Sequence, residues 1–384
     1  MSEIGIGLLG VGWMGGLHTE SYRRVRYHYP EFEGRPRFVI AADDSPERAV
    51  RARTVLGYES ATTDWREVLA HPGVDAVSLT APNFMHVEMA TAAAEAGKHI
   101  WAEKPLGRSP AETREIAAAV EAAGVRTIVG LNYRQTPAVR HARNLVAAGA
   151  IGELRRFRGW FLGDYGADPR IALSWRFSRE LAGLGVLGDI LSHAADLAHF
   201  VAGPIAAVTA VTETTIARRP LIAPGTGTHF SLVEGGELGD VGNEDYALGI
   251  VRFEQGFTGS LEASRVTVGT HAETGFEVHG TKGALAWDFR RMNELEVYLP
   301  LASGDAGWAT VYMGPQHPEY ASFQPGPALA MGYDDLKVIE AHLFLESVLD
   351  GVQREPGVRE MLAVARVLEA MEASAETGAW TPVT

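Results

Sequence analysis

The sequence predicts an α/β protein of two domains. Residues 1–131 form a doubly wound parallel sheet, and residues 132–384 are built on a large open, mostly antiparallel sheet. Three observations predict this. Strand and helix alternate with short connections through the first third, as they do when helices cover both faces of a parallel sheet. A glycine-rich turn, Gly10-Val11-Gly12-Trp13-Met14-Gly15, stands between the first strand and the first helix. After about residue 150, strands follow one another through tight glycine turns such as Thr281-Lys282-Gly283, which marks an antiparallel or mixed sheet.

The elements follow in order. Ile4–Leu9 is an apolar strand, and the helix after the glycine turn runs to about Tyr29. Arg37–Ala42, Val74–Thr80, Lys98–Ala102 and Arg126–Leu131 read as further strands. Helices at Pro46–Leu56, Asp64–Ala70, Phe84–Ala96 and Pro110–Ala123 are alanine-rich where they would meet the sheet. In the second domain, strands fall at Arg155–Leu162, Ile205–Ile216, Tyr246–Phe253, Phe257–Arg265, Gly275–His279, Ala284–Phe289 and Glu294–Leu299. One helix, Asp189–Val201, interrupts them, and helices from Tyr333 and Gly357 close the chain. Arg218–Asn243 and Pro315–Gly332 read as loops.

Composition narrows the function. A chain of 384 residues with 46% hydrophobic residues can bury a large core. A net charge of −14 disfavours nucleic acid and anionic membrane as partners. With no cysteine there is no disulfide, thiolate catalysis or thiolate-bound metal. No signal peptide is recognisable, and no apolar run reaches the ~18 residues of a membrane span. The expectation is a soluble, cytoplasmic protein.

The glycine turn fits G-x-G-x-x-G. Its glycines allow a tight turn and a close backbone approach, and a pyrophosphate then meets the helix N-terminus. Gly10, Gly12, Trp13, Met14 and Gly15 are therefore expected against a dinucleotide. Asp43 ends the second strand, where a carboxylate binds the adenosine ribose. Asp44 beside it would repel a 2′-phosphate, so NAD is expected rather than NADP; Arg48 is the nearest residue that could reverse that. Glu103-Lys104-Pro105 ends a buried strand. Ligands bind at the carboxyl ends of parallel strands, so Lys104 should face the ligand, with Pro105 keeping it out of helical geometry.

The glycine turn, Thr80-Ala81-Pro82-Asn83, His86, Ala96-Gly97-Lys98-His99 and Glu103-Lys104-Pro105, in that order, resemble the glucose–fructose oxidoreductase/inositol dehydrogenase (Gfo/Idh/MocA) family. The resemblance implies a Rossmann domain, a C-terminal α/β domain with a large open sheet, and NAD(P)-dependent redox chemistry on sugars and cyclitols. It further implies that Thr80, Ala81, Pro82, Asn83, His86 and Glu103 lie along the cofactor, and that Lys104 meets both nicotinamide and substrate. Gly185–Asp189 leading into Ile190-Leu191-Ser192-His193 looks like the family's catalytic aspartate–histidine helix. The stretch Asp164–Phe177 looks closest to relatives that oxidise inositols, L-glucose or anhydrosugars such as levoglucosan. The resemblance implies a homo-oligomer, a tetramer or dimer, made through the sheet face, and alternating apolar residues such as Phe253, Phe257 and Leu261 are expected to need cover there from a partner chain.

Asp189 and His193 are four residues apart, so on an α-helix they share a face. Taken alone, Asp189 reads as a helix N-cap and His193 as a packed histidine. Oxidising a secondary alcohol needs a base for the hydroxyl proton, and histidine titrates in the right range. A lysine stabilises developing alkoxide charge, the role expected of Lys104. Asp189 would orient a second hydroxyl. Tyr133, Arg134, Arg176 and His317, with Asp164 and Trp175 behind them, are the expected polyol contacts. Salt bridges are the competing reading for Arg134 and Arg176, and packing for Trp13. No metal site is expected. The leading function is an NAD-dependent polyol or sugar dehydrogenase; alternatives are an NAD-dependent glycoside hydrolase and a non-enzymatic dinucleotide sensor.

Overall fold

Short strands rich in apolar residues build the first sheet, because a strand covered by helices on both faces has no side turned to water. In the computed structural model, which describes residues 2–222, 230–300 and 305–384, they are β1 (Ser2–Leu9), β2 (Gly34–Ala42), β3 (Ser60–Thr62), β4 (Ala76–Leu79), β5 (His99–Ala102) and β6 (Thr127–Val129). All pair in parallel, in the order β3-β2-β1-β4-β5-β6. This is the strand order of dinucleotide-binding sheets, with the switch point between β1 and β4. Sequence reading missed only the short edge strand β3. Ser45, Asp64 and Ser109 cap the helices that follow them with side-chain oxygens.

The chain forms two units, Met1–Gln135 with Met331–Leu362, and Thr136–Ala330 with Ala363–Thr384. The expected division at residue 131 leaves the late segment with the second domain, whereas the structure packs it into the first. The reason is the helix Tyr333–Asp350. It buries Leu336, Val338, Ile339, Ala341, Phe344 and Leu345 and brings the Phe344 ring against Tyr22 and Trp101. It also carries Lys337, wholly buried, whose ammonium donates to Glu103 at 2.6 Å and to Glu340 at 2.9 Å.

The second unit holds β7 (Leu154–Gly163), β8 (Ile205–Glu213), β9 (Arg218–Pro220), β10 (Leu238–Asp240), β11 (Tyr246–Phe253), β12 (Thr258–Ser264), β13 (Ala272–Gly280), β14 (Ala284–Asp288), β15 (Glu294–Tyr298), β16 (Trp308–Tyr312) and β17 (Thr381–Pro382). Nine of these make one sheet, ordered β16-β15-β14-β13-β7-β12-β11-β8-β17. Its pairings are antiparallel except β7 with β12. β9 and β10 form a separate hairpin inside the segment expected to be loop; residues 223–229 of that segment lie outside the described residues. The helix Pro137–Ala147 and strand β16 were not anticipated, and the Pro315–Gly332 loop contains a short helix, Tyr320–Phe323.

Strict alternation sorts this sheet's two faces. Along β11, Ala247, Gly249, Val251 and Phe253 are buried, while Leu248, Ile250 and Arg252 are exposed. Phe253, Phe257 and Leu261, expected to need cover from a partner chain, are already buried within the unit. The Phe253 ring stacks on Phe257 at 4.3 Å and meets Phe157 edge-on. The helix Ser192–Ala202 is buried along most of its length. Arg179–Ala202 contains an 18-residue window with a mean hydropathy of 1.3, longer than any apolar run expected; 89% of that window is buried, as in a core helix.

Glu340 generates a stability prediction. Burial pushes its carboxyl up to about 7 from 4.5, against the pull of Lys337. The folded state therefore keeps a proton that the unfolded chain releases, so this group's contribution to stability falls as pH rises from about 4.5 to 7. Glu340→Gln should remove up to ~3 kcal/mol of that fall, read as urea midpoints at pH 5 and pH 7.5. The same pH slope in variant and parent would refute it.

Candidate active site

In the first unit, the turn after β1 is shaped for an anionic dinucleotide. Gly10 has a φ of +99°, in the left-handed region. A Cβ on Gly15 would lie 2.2 Å from the Gly10 carbonyl, so the third glycine lets the helix close onto the turn. A Cβ on Gly12 would meet no protein atom within 4 Å. No side chain caps the helix Trp13–His28, and its first turn carries no acidic residue. Its leading amides thus face no competing carboxylate, as a pyrophosphate requires.

Asp43 closes the turn from the end of β2. Its carboxylate accepts from Val11 N at 2.8 Å, Ser45 N at 3.0 Å and Arg48 Nε at 2.7 Å. Arg48 also donates to Asp44 at 2.9 Å. The one cation expected to favour a 2′-phosphate is therefore engaged by both acidic neighbours. These residues fit NAD: amides for the pyrophosphate and a fixed carboxylate for the ribose.

Two further loops meet at the carboxyl ends of β4 and β5. Thr80 Oγ1 donates to the Gly10 carbonyl at 2.7 Å, tying Thr80-Ala81-Pro82-Asn83 to the glycine turn. His86 is buried, with ring nitrogens 2.8 Å from the Ala81 carbonyl and 3.0 Å from that of Pro105. A neutral ring donates to one of these, and burial lowers its pKa below the ordinary value. His86 thus joins the β4 loop to the Lys104 turn. Lys104 is half-buried, and its peptide bond to Pro105 is cis.

Glu103, expected among the cofactor contacts, turns inward. Its Oε1 accepts from Lys337 and, at 3.0 Å, from His18 Nε2. Burial opposes ionisation, but Lys337 and His18 hold the Glu103 carboxyl well below the usual range. Burial would likewise lower Lys337, yet Glu103 and Glu340 raise it well above the ordinary lysine. Burial pushes His18 down to about 4, against Glu103. Its ring is therefore neutral and stacks on Trp101 at 3.5 Å.

In the second unit, Asp189 is not an N-cap and does not lie on a plain α-helix. It sits in a π-helical turn, Leu187–Leu191, which runs straight into the helix Ser192–Ala202 that carries His193. Such turns occur frequently at functional sites, and this one alters the face-sharing expected of the four-residue spacing. Asp189 Oδ2 accepts from the Tyr165 hydroxyl at 2.7 Å, and Oδ1 lies 3.6 Å from Arg176. His193 is buried, with its ring centroid 6.0 Å from Phe161. The Arg176 guanidinium lies over Trp175 at 4.5 Å. Asp164 lies 3.5 Å from His271.

The other expected contacts divide. Tyr133 is buried, and burial pushes its hydroxyl pKa well above the ordinary value. Arg134 is buried and lies 3.6 Å from the Glu355 carboxylate, matching the salt-bridge reading. His317 is buried; its Nδ1 accepts from Gly314 N at 2.9 Å, and its ring meets His141 edge-on at 4.6 Å. Trp13 is 73% exposed and stacks with Tyr333 at 6.2 Å. Sequence reading missed Tyr165, His18, Lys337 and Glu244. Of these, only Lys337 leaves a signal, as a lysine with glutamate three residues on in an apolar helix.

The strand order, glycine turn and ribose carboxylate define a nicotinamide-dependent oxidoreductase of the Rossmann class. A family profile described as "Oxidoreductase family, NAD-binding Rossmann fold" matches residues 4–131, and one described as "GFO/IDH/MocA C-terminal domain" matches residues 139–286. The chain belongs to the Gfo/Idh/MocA family. It is 38% identical to levoglucosan dehydrogenase of Pseudarthrobacter phenanthrenivorans, over 100% of this chain and 99% of that protein. It is 30% identical to scyllo-inositol 2-dehydrogenase (NAD(+)) of Bacillus subtilis, over 74% and 73%. A solved levoglucosan dehydrogenase in complex with NADH and levoglucosan superposes with a TM-score of 0.93 at 37% identity, covering all of both chains.

Asp43→Ser should weaken NADH binding about 10- to 100-fold, the scale of hydrogen bonds to a charged group. NADPH binding should gain relative to NADH. Fluorescence titration of both cofactors checks this, and an unchanged ratio of affinities refutes it.

Proposed function

We propose that this protein oxidises a secondary hydroxyl of an anhydrosugar, cyclitol or sugar to a ketone, with anhydrosugars of the levoglucosan type as the first substrates to test. The observation that carries this is the whole-chain likeness to levoglucosan dehydrogenase, joined to the presence of Lys104, Asp189 and His193 in this chain. Bound NAD supplies the hydride acceptor. His193 removes the hydroxyl proton, in the role for which a neutral imidazole is suited. Lys104 stabilises the negative charge that develops on that oxygen. Asp189 accepts from a second hydroxyl and so orients the ring. Tyr133, Arg134, Trp175, Arg176 and His317 are the proposed surroundings of the substrate.

The direct test is NADH absorbance with levoglucosan, myo-inositol and a hexose panel. Steady accumulation of NADH supports a dehydrogenase, whereas a hydrolase would regenerate its cofactor. Lys104→Met and His193→Ala should each lower turnover by roughly 10²–10⁴, the usual contribution of a positioned acid–base group, with NADH affinity retained. Near-normal turnover in both variants at saturating substrate would remove these residues from the mechanism.

We also propose that the protein works in the cytoplasm as a homo-oligomer, a dimer or tetramer, joined through the outer face of the nine-stranded sheet. Val211, Leu248 and Ile250 support this. They share that face and are 59%, 36% and 50% exposed, an apolar patch of the kind that marks an interface. Light scattering at micromolar concentration should give a multiple of 41.3 kDa; a monomeric mass refutes it.

A further inference from the structure

We propose that Tyr165 is the positioning residue of Asp189, fixing the orientation of the carboxylate that the proposed mechanism uses to hold the substrate ring. This rests on the reading of Asp189 given above. The geometry is specific. Tyr165 stands two residues past the end of β7, and its hydroxyl donates to Asp189 Oδ2 at 2.7 Å. An ionised carboxylate only accepts, so the phenol must be the donor. One short charge-assisted bond opposes rotation of the carboxylate about its Cβ–Cγ bond.

The turn that carries Tyr165 is itself fixed. Gly166 N donates to the Arg265 carbonyl at 2.7 Å, and Ala167 N to that of Asp164 at 2.9 Å. The buried guanidinium of Arg219 donates to the carbonyls of Gly166 and Asp168. Arg219 and Arg265 both lie over the Phe177 ring, at 4.2 and 4.5 Å, next to Arg176. Tyr165 and Arg176, two groups beside the Asp189 carboxylate, are thus anchored by the same pair of buried arginines. Burial and the adjacent carboxylate push the Tyr165 hydroxyl well above its ordinary pKa. It therefore stays protonated, as a donor to the carboxylate.

A double-mutant cycle separates positioning from structural support. Tyr165→Phe, Asp189→Asn and the double variant are compared for kcat and KM with levoglucosan, or myo-inositol if that is the faster substrate, at saturating NAD. NADH affinity and melting temperature are measured on each. We expect Tyr165→Phe to lower kcat/KM about 10- to 100-fold, the scale of a hydrogen bond to a charged group, at unchanged NADH affinity and melting temperature. In the Asp189→Asn background the same change should have no further effect. Losses that simply multiply, or a Tyr165→Phe variant that behaves as the parent, overturn the proposal. Normal turnover in Asp189→Asn overturns the role of Asp189 first and the proposal with it. A parent protein that oxidises no member of the panel of levoglucosan, myo-inositol and hexoses refutes the functional reading on which both rest.

Discussion

The first unit depends on the ion pair between Lys337 and Glu103. A lysine with no exposed surface is unfavourable inside a protein unless its charge is matched, and removing one partner of such a pair costs about 3–5 kcal/mol. Here Glu103 supplies the opposite charge and Glu340 a second hydrogen bond to the ammonium. The partners Lys337 and Glu103 are 234 residues apart in sequence. This explains why the helix Tyr333–Asp350 belongs with the parallel sheet although the chain leaves that sheet after β6. The same pair sets the local shape. A Cβ on Gly130 would lie 2.6 Å from the Glu103 carboxylate, so the residue after β6 has no room for a side chain.

In the second unit, three consecutive residues do comparable work. Asn243 Nδ2 donates to the Arg176 carbonyl at 2.9 Å, and its Oδ1 accepts from Arg265 at 2.9 Å. Glu244 receives Leu187 N on its side chain at 3.0 Å and Val186 N on its carbonyl at 3.1 Å, which fixes the entry to the π turn. A Cβ on Gly185 would fall 2.1 Å from that carbonyl, so the glycine before the turn is required by close approach. Asp245 accepts from the buried Arg265 at 2.6 Å and from Ile216 N at 2.9 Å. One short stretch thus holds the backbone of Arg176, the turn that bears Asp189, and the arginine beneath Phe177.

What could be read from the sequence is what local pattern encodes. Alternating strands and helices, the glycine turn and Asp43 follow from periodicity and spacing, and the structure keeps them. The π turn does not follow, and the contacts at its entry come from Glu244, more than fifty residues away and without a motif. Lys337 leaves only the signal of a glutamate three residues on, because its other partner, Glu103, is 234 residues away. Tyr165 lies in an irregular turn, where neither period nor spacing says what its hydroxyl meets. Phe253, Phe257 and Leu261 misled for a related reason. Alternation reveals that one face of a strand is buried, but not which neighbouring element covers it.

The two lysines stand in different surroundings, Lys337 wholly buried and Lys104 half-buried. Glu103 and Lys104 are adjacent in sequence, and a lysine paired with a carboxylate has less charge to offer a developing alkoxide. In the structure, Glu103 Oε1 already serves Lys337 and the neutral His18 ring, inside the unit rather than at the loop. Placing a second, wholly buried lysine against Glu103 therefore keeps this carboxylate directed inward. It also anchors the backbone immediately before Lys104, and the buried His86 ring lies 3.0 Å from the Pro105 carbonyl immediately after it. The half-buried side chain of Lys104 thus projects from a backbone packed against buried side chains on both sides, which suits the role proposed for its ammonium on a ring that presents several hydroxyls.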